Sequence, residues 1–239
     1  MYIRSAALLS LSLFAAACGP TLTTDPSVTT TSKGDQQPAP PGKSAARASK
    51  ALVRAVNANP ADTDIVWGHE ELFNKVAFKT VTPYAEVPIG RAMFALRGAD
   101  TGEKLSGGHQ DLLPGRHYTV LALPAKAGKT LLTVMSDNLG GLESGESRVR
   151  LINATKDVKE LDLYTGASDE DRLLHGVRAG SSAAMSFVDM TVGPAQIRIS
   201  GHPTMLEKID IEPDRMYTLI VVGQASALDV IKIVDRVGD

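Results

Sequence analysis

At 239 residues and 43% apolar content the chain has room for one large domain or two modest ones, and it lies far from the disordered range. Its 25 Lys and Arg nearly balance 27 Asp and Glu, and the excess of acid falls beyond residue 50, so the composition lacks the basic stripe that a nucleic-acid partner requires. One cysteine, Cys18, excludes an internal disulfide, a thiolate metal cage and a CxxC redox pair.

The chain opens MYIRSAALLSLSLFAAACGP. Arg4 precedes an apolar run from Ala6 to Ala17 that is too short for a bilayer span of about 20 helical residues but fits a signal-peptide core over residues 1–17. Ala15-Ala16-Ala17-Cys18 resembles the lipobox of bacterial lipoprotein signals, with Ala15 where that class usually has Leu; Ala15-x-Ala17 also satisfies the A-x-A rule of ordinary signal peptidase. The lipoprotein resemblance implies a diacylglyceryl group on Cys18, a membrane partner through that anchor, and an outer-membrane address facing the periplasm or the cell surface. Two or more acyl chains anchor stably, at about 0.8 kcal/mol per buried CH₂.

From Cys18 to Lys50 the residues are mostly Thr, Ser, Pro, Gly, Gln and Ala without a periodic apolar face, which predicts a disordered tether reaching roughly 30 Å. Beyond it the chain repeats itself. LVRAVNA (Leu52–Ala58) returns as RVRLINA (Arg148–Ala154), placing Arg150 on Arg54, and DIVWG (Asp64–Gly68) returns as DLYTG (Asp162–Gly166). VPIGRAMFALR (Val87–Arg97) returns as MTVGPAQIRIS (Met190–Ser200), and TVMSD (Thr133–Asp137) as IKIVD (Ile231–Asp235). The order is the same and the spacing nearly so, which indicates a duplicated domain. Short runs rich in Val, Ile, Leu, Thr and Tyr, separated by NP, PIG, GG, PG and PD turns, predict strands. The expected fold is all-β: two tandem immunoglobulin-like (fibronectin III-like) sandwiches over 51–139 and 147–239, hinged at 140–146, each of about seven strands closing its own two-layer core.

PGRHY (Pro114–Tyr118) and PDRMY (Pro213–Tyr217) resemble the tyrosine corner of such sandwiches, which implies that Tyr118 and Tyr217 are structural, each returning its hydroxyl to backbone upstream. Taken together, VRAVNANPADTDIVWG and its second copy resemble a bacterial family of exported tandem sandwiches, domain of unknown function 4397. The family often has His after the first strand, where this chain has Asn57 and Asn153. That likeness implies a fold and an envelope location and carries over no catalytic residue.

Catalytic and metal-binding motifs are absent from the sequence. PAKAGKT (Pro124–Thr130) ends like a phosphate loop but lacks its first glycine and precedes a strand, so it reads as a hairpin. The five histidines have neither HExxH nor HxH spacing, so no metal site is expected, and SDEDR (Ser168–Arg172) lacks the calcium-loop spacing. No GxSxG elbow or SxxK is present, so no catalytic residue and no cofactor are expected. Trp67, His69 and His117 occur in the first copy only and are the candidate binding residues. The expected function is a non-enzymatic envelope module presenting loops or edges to an envelope or extracellular protein. The alternatives are a carbohydrate- or cell-wall-binding module, which needs exposed aromatic platforms, and a hydrolase with a loop-assembled site.

Overall fold

The computed structural model describes residues 49–180, 187–202 and 205–236. Cys18, the signal segment and nearly all of the tether lie outside them. The first unit contains β1 (Lys50–Asn57), β2 (Thr63–Trp67), β3 (Glu70–Val76), β4 (Ala85–Pro88), β5 (Gly90–Gly98), β6 (Lys104–Leu112), β7 (His117–Pro124) and β8 (Thr130–Asp137). The second contains β9 (Glu146–Thr155), β10 (Glu160–Tyr164), β11 (Arg172–Arg178), β12 (Phe187–Thr191), β13 (Gly193–Ile199), β14 (Met205–Ile211), β15 (Arg215–Gln224) and β16 (Ala227–Arg236). Among the described residues each unit thus has eight strands, one more than its length suggested, because a short strand (β4 or β12) forms before the chain changes sheet.

Each unit is a sandwich of two four-stranded sheets. In the first, order β4-β1-β7-β8 faces β3-β2-β5-β6; in the second, β12-β9-β15-β16 faces β11-β10-β13-β14. Pairing is antiparallel except that β1 runs parallel to β7 and β9 to β15. The change of sheet between β4 and β5 needs one residue in the positive-φ region, which Gly90 supplies (φ 110), and Gly193 (φ 149) does the same between β12 and β13.

The repeated polar residues hold the layers together. Asn57 Nδ2 donates to the carbonyls of Ala61 and Val76, and Asn153 Nδ2 to those of Val158 and Val177. Each Asn is fully buried and satisfies backbone acceptors where its strand leaves one sheet for the other. Asp64 accepts the N–H of Lys75, and Asp162 that of Gly176; both donors sit at positive φ in the irregular pairing of the following strand. At the tyrosine corners the Tyr118 hydroxyl accepts the N–H of Leu113 and the Tyr217 hydroxyl that of Glu212, each at 2.9 Å. The turn residues before them, Gly115 (φ 65) and Asp214 (φ 57), take the left-handed conformation that explains why Gly alternates with Asp there.

The first core gathers Val53, Ile65, Phe94, Leu96, Tyr118 and Val120; the second gathers Val149, Leu161, Leu163, Ile197, Tyr217 and Leu219. A third apolar cluster was not expected. It joins Val56, Leu121, Leu123 and Met135 of the first unit to Ile152, Ile220, Val222, Ile231 and Ile233 of the second. The sheets built on β1 and β9 are therefore buried on both faces, one against their own sandwich and one against each other, and the two cores are not independent.

Candidate functional site

The shared face, or seam, is built from the repeat itself. In β1, β7, β9 and β15 the residues that point away from the sandwich cores alternate with those that point in, so they meet across the seam. Leu121, Leu123, Ile220 and Val222 fill its apolar part. Toward the ends where β1 and β9 begin, the same rows carry Arg54, Thr119, Arg150 and Thr218, all buried.

Their arrangement is crossed. Arg54 of the first unit makes a two-pronged pair with Asp235 of the second, at 2.8 and 2.7 Å, while Arg150 of the second reaches Asp137 of the first at 2.6 Å. Since Arg150 repeats Arg54 and Asp235 repeats Asp137, the two pairs are related by the pseudo-symmetry of the duplication. Arg54 Nε donates to Thr119 Oγ1 and both Nε and a terminal nitrogen of Arg150 to Thr218 Oγ1. The guanidinium of Arg54 lies 4.6 Å from the Tyr84 ring and that of Arg150 4.5 Å from the Phe187 ring, contacts that favour a cation over an aromatic face.

Two arginines and two aspartates leave the network neutral, which is the condition for keeping such groups out of water. Burial works to lower the pKa of Arg54, but its bonds to Asp235 and the charge of Asp137 outweigh that and raise it. For the more enclosed Arg150 burial prevails over Asp137 and the pKa is lowered. Tyr84 donates its hydroxyl to Asp137 at 3.0 Å and its pKa is raised, first by burial and then by the Asp137 charge. Arginine keeps its charge across this range.

At the other end of the strands, where β1, β7, β9 and β15 finish, the seam opens. A cleft of about 690 Å³ is lined by Pro124–Lys126 at the end of β7, by Thr155–Lys159 from the end of β9 toward β10, and by Arg178–Gly180 at the end of β11. Beside it a pocket of about 300 Å³, lined by Ala58, Pro60, Phe78, Pro124 and Ala154 among others, shares Pro124 and Lys156 with the cleft. Arg178 is paired with Glu160 at 3.1 Å, and Asp157 accepts the N–H of Ala225. Lys126, Lys156 and Lys159 are exposed and make no ion pair among the described residues. Lys79 pairs with Asp229 across the seam and lies 5.3 Å from the Phe78 ring.

The residues singled out from the sequence do not converge on this cleft. Trp67 is partly buried against the first core, in the sheet of β2, and His69 is exposed in the turn after it. His117 begins β7 in the other sheet and meets the Tyr84 ring edge-on at 4.9 Å. All three lie toward the end where β1 begins. Tyr118 and Tyr217 are buried in the two cores. Pro124–Thr130 joins β7 to β8 as an antiparallel hairpin loop, with Ala127 and Gly128 at positive φ. In SDEDR, Ser168 and Asp171 close a capping box, and hydrogen bonds from Ser168 lower the Asp171 pKa. Among the described residues no three His, Cys, Asp or Glu are grouped so as to hold a metal ion, and no helix is long and apolar enough to cross a membrane.

Fold and seam together define the class: an all-β protein of two sandwich units. Residues 51–164, from the first strand of the first unit to the end of β10, match the family model described as Domain of unknown function (DUF4397), and the match supports the resemblance carried by the repeated strands. No curated protein matches the chain. Solved structures with some likeness include a streptococcal family 41 carbohydrate-binding module described for alpha-glucan recognition (11% identity, TM-score 0.26, 75% of this chain and 96% of that one). Others are the Bacillus anthracis TIE protein (12%, 0.24, 73% and 34%) and a family CBM26 module of Eubacterium rectale Amy13K in complex with maltoheptaose (9%, 0.23, 76% and 95%). Likeness at this level says nothing of what this chain binds.

Proposed function

We propose that the protein is a non-enzymatic binding module of the bacterial cell envelope, anchored by lipid on Cys18 to the outer membrane, that presents the loops at the open end of its seam to a protein partner. The observation that carries this reading is the cleft. It is walled by loops of both sandwiches, and the apolar cluster shared by the two sheets, with the Lys79–Asp229 pair across the seam, adjoins those loops. A surface made by two units and held by a third core is a rigid platform, and rigidity in the bound geometry favours affinity. The domain division at 51–139 and 147–239 belongs to the same proposal.

The carbohydrate alternative needs an aromatic face open to a sugar ring, and among the described residues no Phe, Tyr or Trp side chain is exposed. The exposed large apolar side chains are Ile89, Met93, Leu113, Val192, Met205 and Val234.

The test is site-specific photocrosslinking in intact cells, with the photoreactive residue at Gln224 beside the cleft or at Val192 on the far side of the β12–β13 corner. The reading expects a protein adduct from the first position and none from the second. Adducts at Val192 alone, or strong retention on a glycan array, would contradict it. Labelled palmitate should enter the wild type and not Cys18→Ala; equal uptake by both removes the anchor.

A further inference from the structure

We infer that the open end of the seam binds an acidic segment of polypeptide, seating its carboxylates against Lys126, Lys156 and Lys159 and one apolar side chain in the pocket between Pro60, Phe78 and Pro124. The inference rests on the proposed binding role and names the chemistry of the partner.

Three observations lead there. First, the cleft is basic in a mildly acidic protein: exposed Lys126, Lys156 and Lys159 line it with no acidic partner among the described residues, and the one carboxylate in its lining is Asp157. The neighbouring cations Lys79 and Arg178 are paired, with Asp229 and Glu160. Exposed like charges around one hollow raise its potential and draw an anion to it.

Second, the basic cleft and the apolar pocket adjoin and share Pro124 and Lys156 as walls. A free inorganic anion would use the first and leave the second empty. A ligand that carries acid and hydrocarbon side by side uses both. Among such ligands a polypeptide fits better than an acidic glycan, because the pocket's one aromatic ring, Phe78, has the Lys79 ammonium over it. Its other apolar walls are Ala and Pro, which receive an aliphatic side chain and offer no ring to stack on a sugar.

Third, the site is at the far end from the tether. The chain enters β1 at Lys50, and Ala58, which borders the pocket, follows the other end of that strand. An eight-residue strand spans about 25 Å. The lysines therefore do not face the end at which the tether joins the sandwich, which separates this cleft from the basic patches that sit beside a membrane anchor.

The experiment is fluorescence anisotropy with the full chain purified from membranes and a labelled peptide of glutamates flanking a single leucine. The wild type should bind it with an affinity that falls as salt rises. Lys126→Gln, Lys156→Gln and Lys159→Gln combined should weaken binding by about tenfold or more at low salt and flatten the salt dependence. Replacing the probe's leucine by serine should weaken it by about threefold or more. Because the three lysines are exposed, an unchanged melting temperature shows that the variant is folded, and a Lys→Arg triple variant should restore binding. The inference is overturned if the Gln variant binds as the wild type does. It is also overturned if polygalacturonate or anionic phospholipid vesicles displace the peptide and bind more tightly. If the crosslinked partner is captured equally by wild type and Gln variant, the binding role stands and this assignment falls.

Discussion

The two sandwiches are built from the same repeated parts and differ in how they close the seam. Asp137 of the first is sealed from solvent and collects Arg150, Arg54, the Thr119 hydroxyl and the Tyr84 hydroxyl. Its counterpart Asp235 retains 12% exposure and, among the described residues, takes only Arg54. The ring stacked on each arginine differs accordingly, Tyr84 in the first copy and Phe187 in the second. Duplication gave each half one arginine and one aspartate, and the Tyr84 hydroxyl, which Phe187 lacks, helps make the first half the anchor of the network. The lesson is that a repeat can keep its pattern while concentrating the buried electrostatics in one copy.

The largest expected effect tests that asymmetry. Asp137→Ala leaves Arg150 and part of Arg54 buried without a carboxylate and should lower stability by about 3–5 kcal/mol in urea unfolding. Asp235→Ala, at the wetter position, should lose about 1–3 kcal/mol. Equal losses would mean that the seam is symmetric in energy as well as in sequence.

Next in size are the corners, where the copies should agree. Tyr118→Ala and Tyr217→Ala remove fully buried rings and should each lose about 3–5 kcal/mol, whereas the Phe variants lose a single hydrogen bond, about 1 kcal/mol. Tyr84→Phe makes the first copy resemble the second and should also lose about 1 kcal/mol. A larger loss would give the hydroxyl a greater share of the network than one bond.

The pH response is expected to be smaller and to belong mainly to the second sandwich. Burial opposes ionisation of Asp162, but hydrogen bonds from Ser200, the Gly176 N–H and His175 outweigh it and hold the pKa below the usual carboxylate value. The pair with Arg148 does the same for Asp189. A carboxyl with a lowered folded pKa binds fewer protons folded than unfolded just below its ordinary value. The stability it contributes is thus present above the ordinary carboxylate range and lost as pH falls through the lowered folded value. Urea midpoints should hold constant from neutral pH to the ordinary carboxylate value and decline below it, and Asp189→Asn should reduce that decline.

Much of the fold was legible because its signals are local. Turn residues, the tyrosine corners and the repeated Asp-led strands all act within a few positions of themselves. The seam was legible only in part. HYTVLALP and MYTLIVV are nearly continuous apolar runs, and such runs mark a strand buried on both faces, yet read as one-sided strands they give two separate cores. Arg54 and Arg150 stood out as repeated without their partners being evident, since Arg54 meets Asp235 from the far end of the chain. Trp67, His69 and His117 stood out because they occur once, whereas the open cleft is lined by ordinary Lys, Pro and Ala whose meeting depends on how the two units pack. No spacing along the chain encodes that.

The claim on which the account turns is that buried Arg–Asp pairs lock two sandwiches into one body. A double-mutant cycle on Arg54→Met and Asp235→Leu, followed by urea unfolding of the full chain, measures it directly. The account predicts a coupling energy of about 1.5 kcal/mol or more, with the double variant more stable than either single one. A coupling near zero, with each substitution acting as though the other residue were absent, would contradict it.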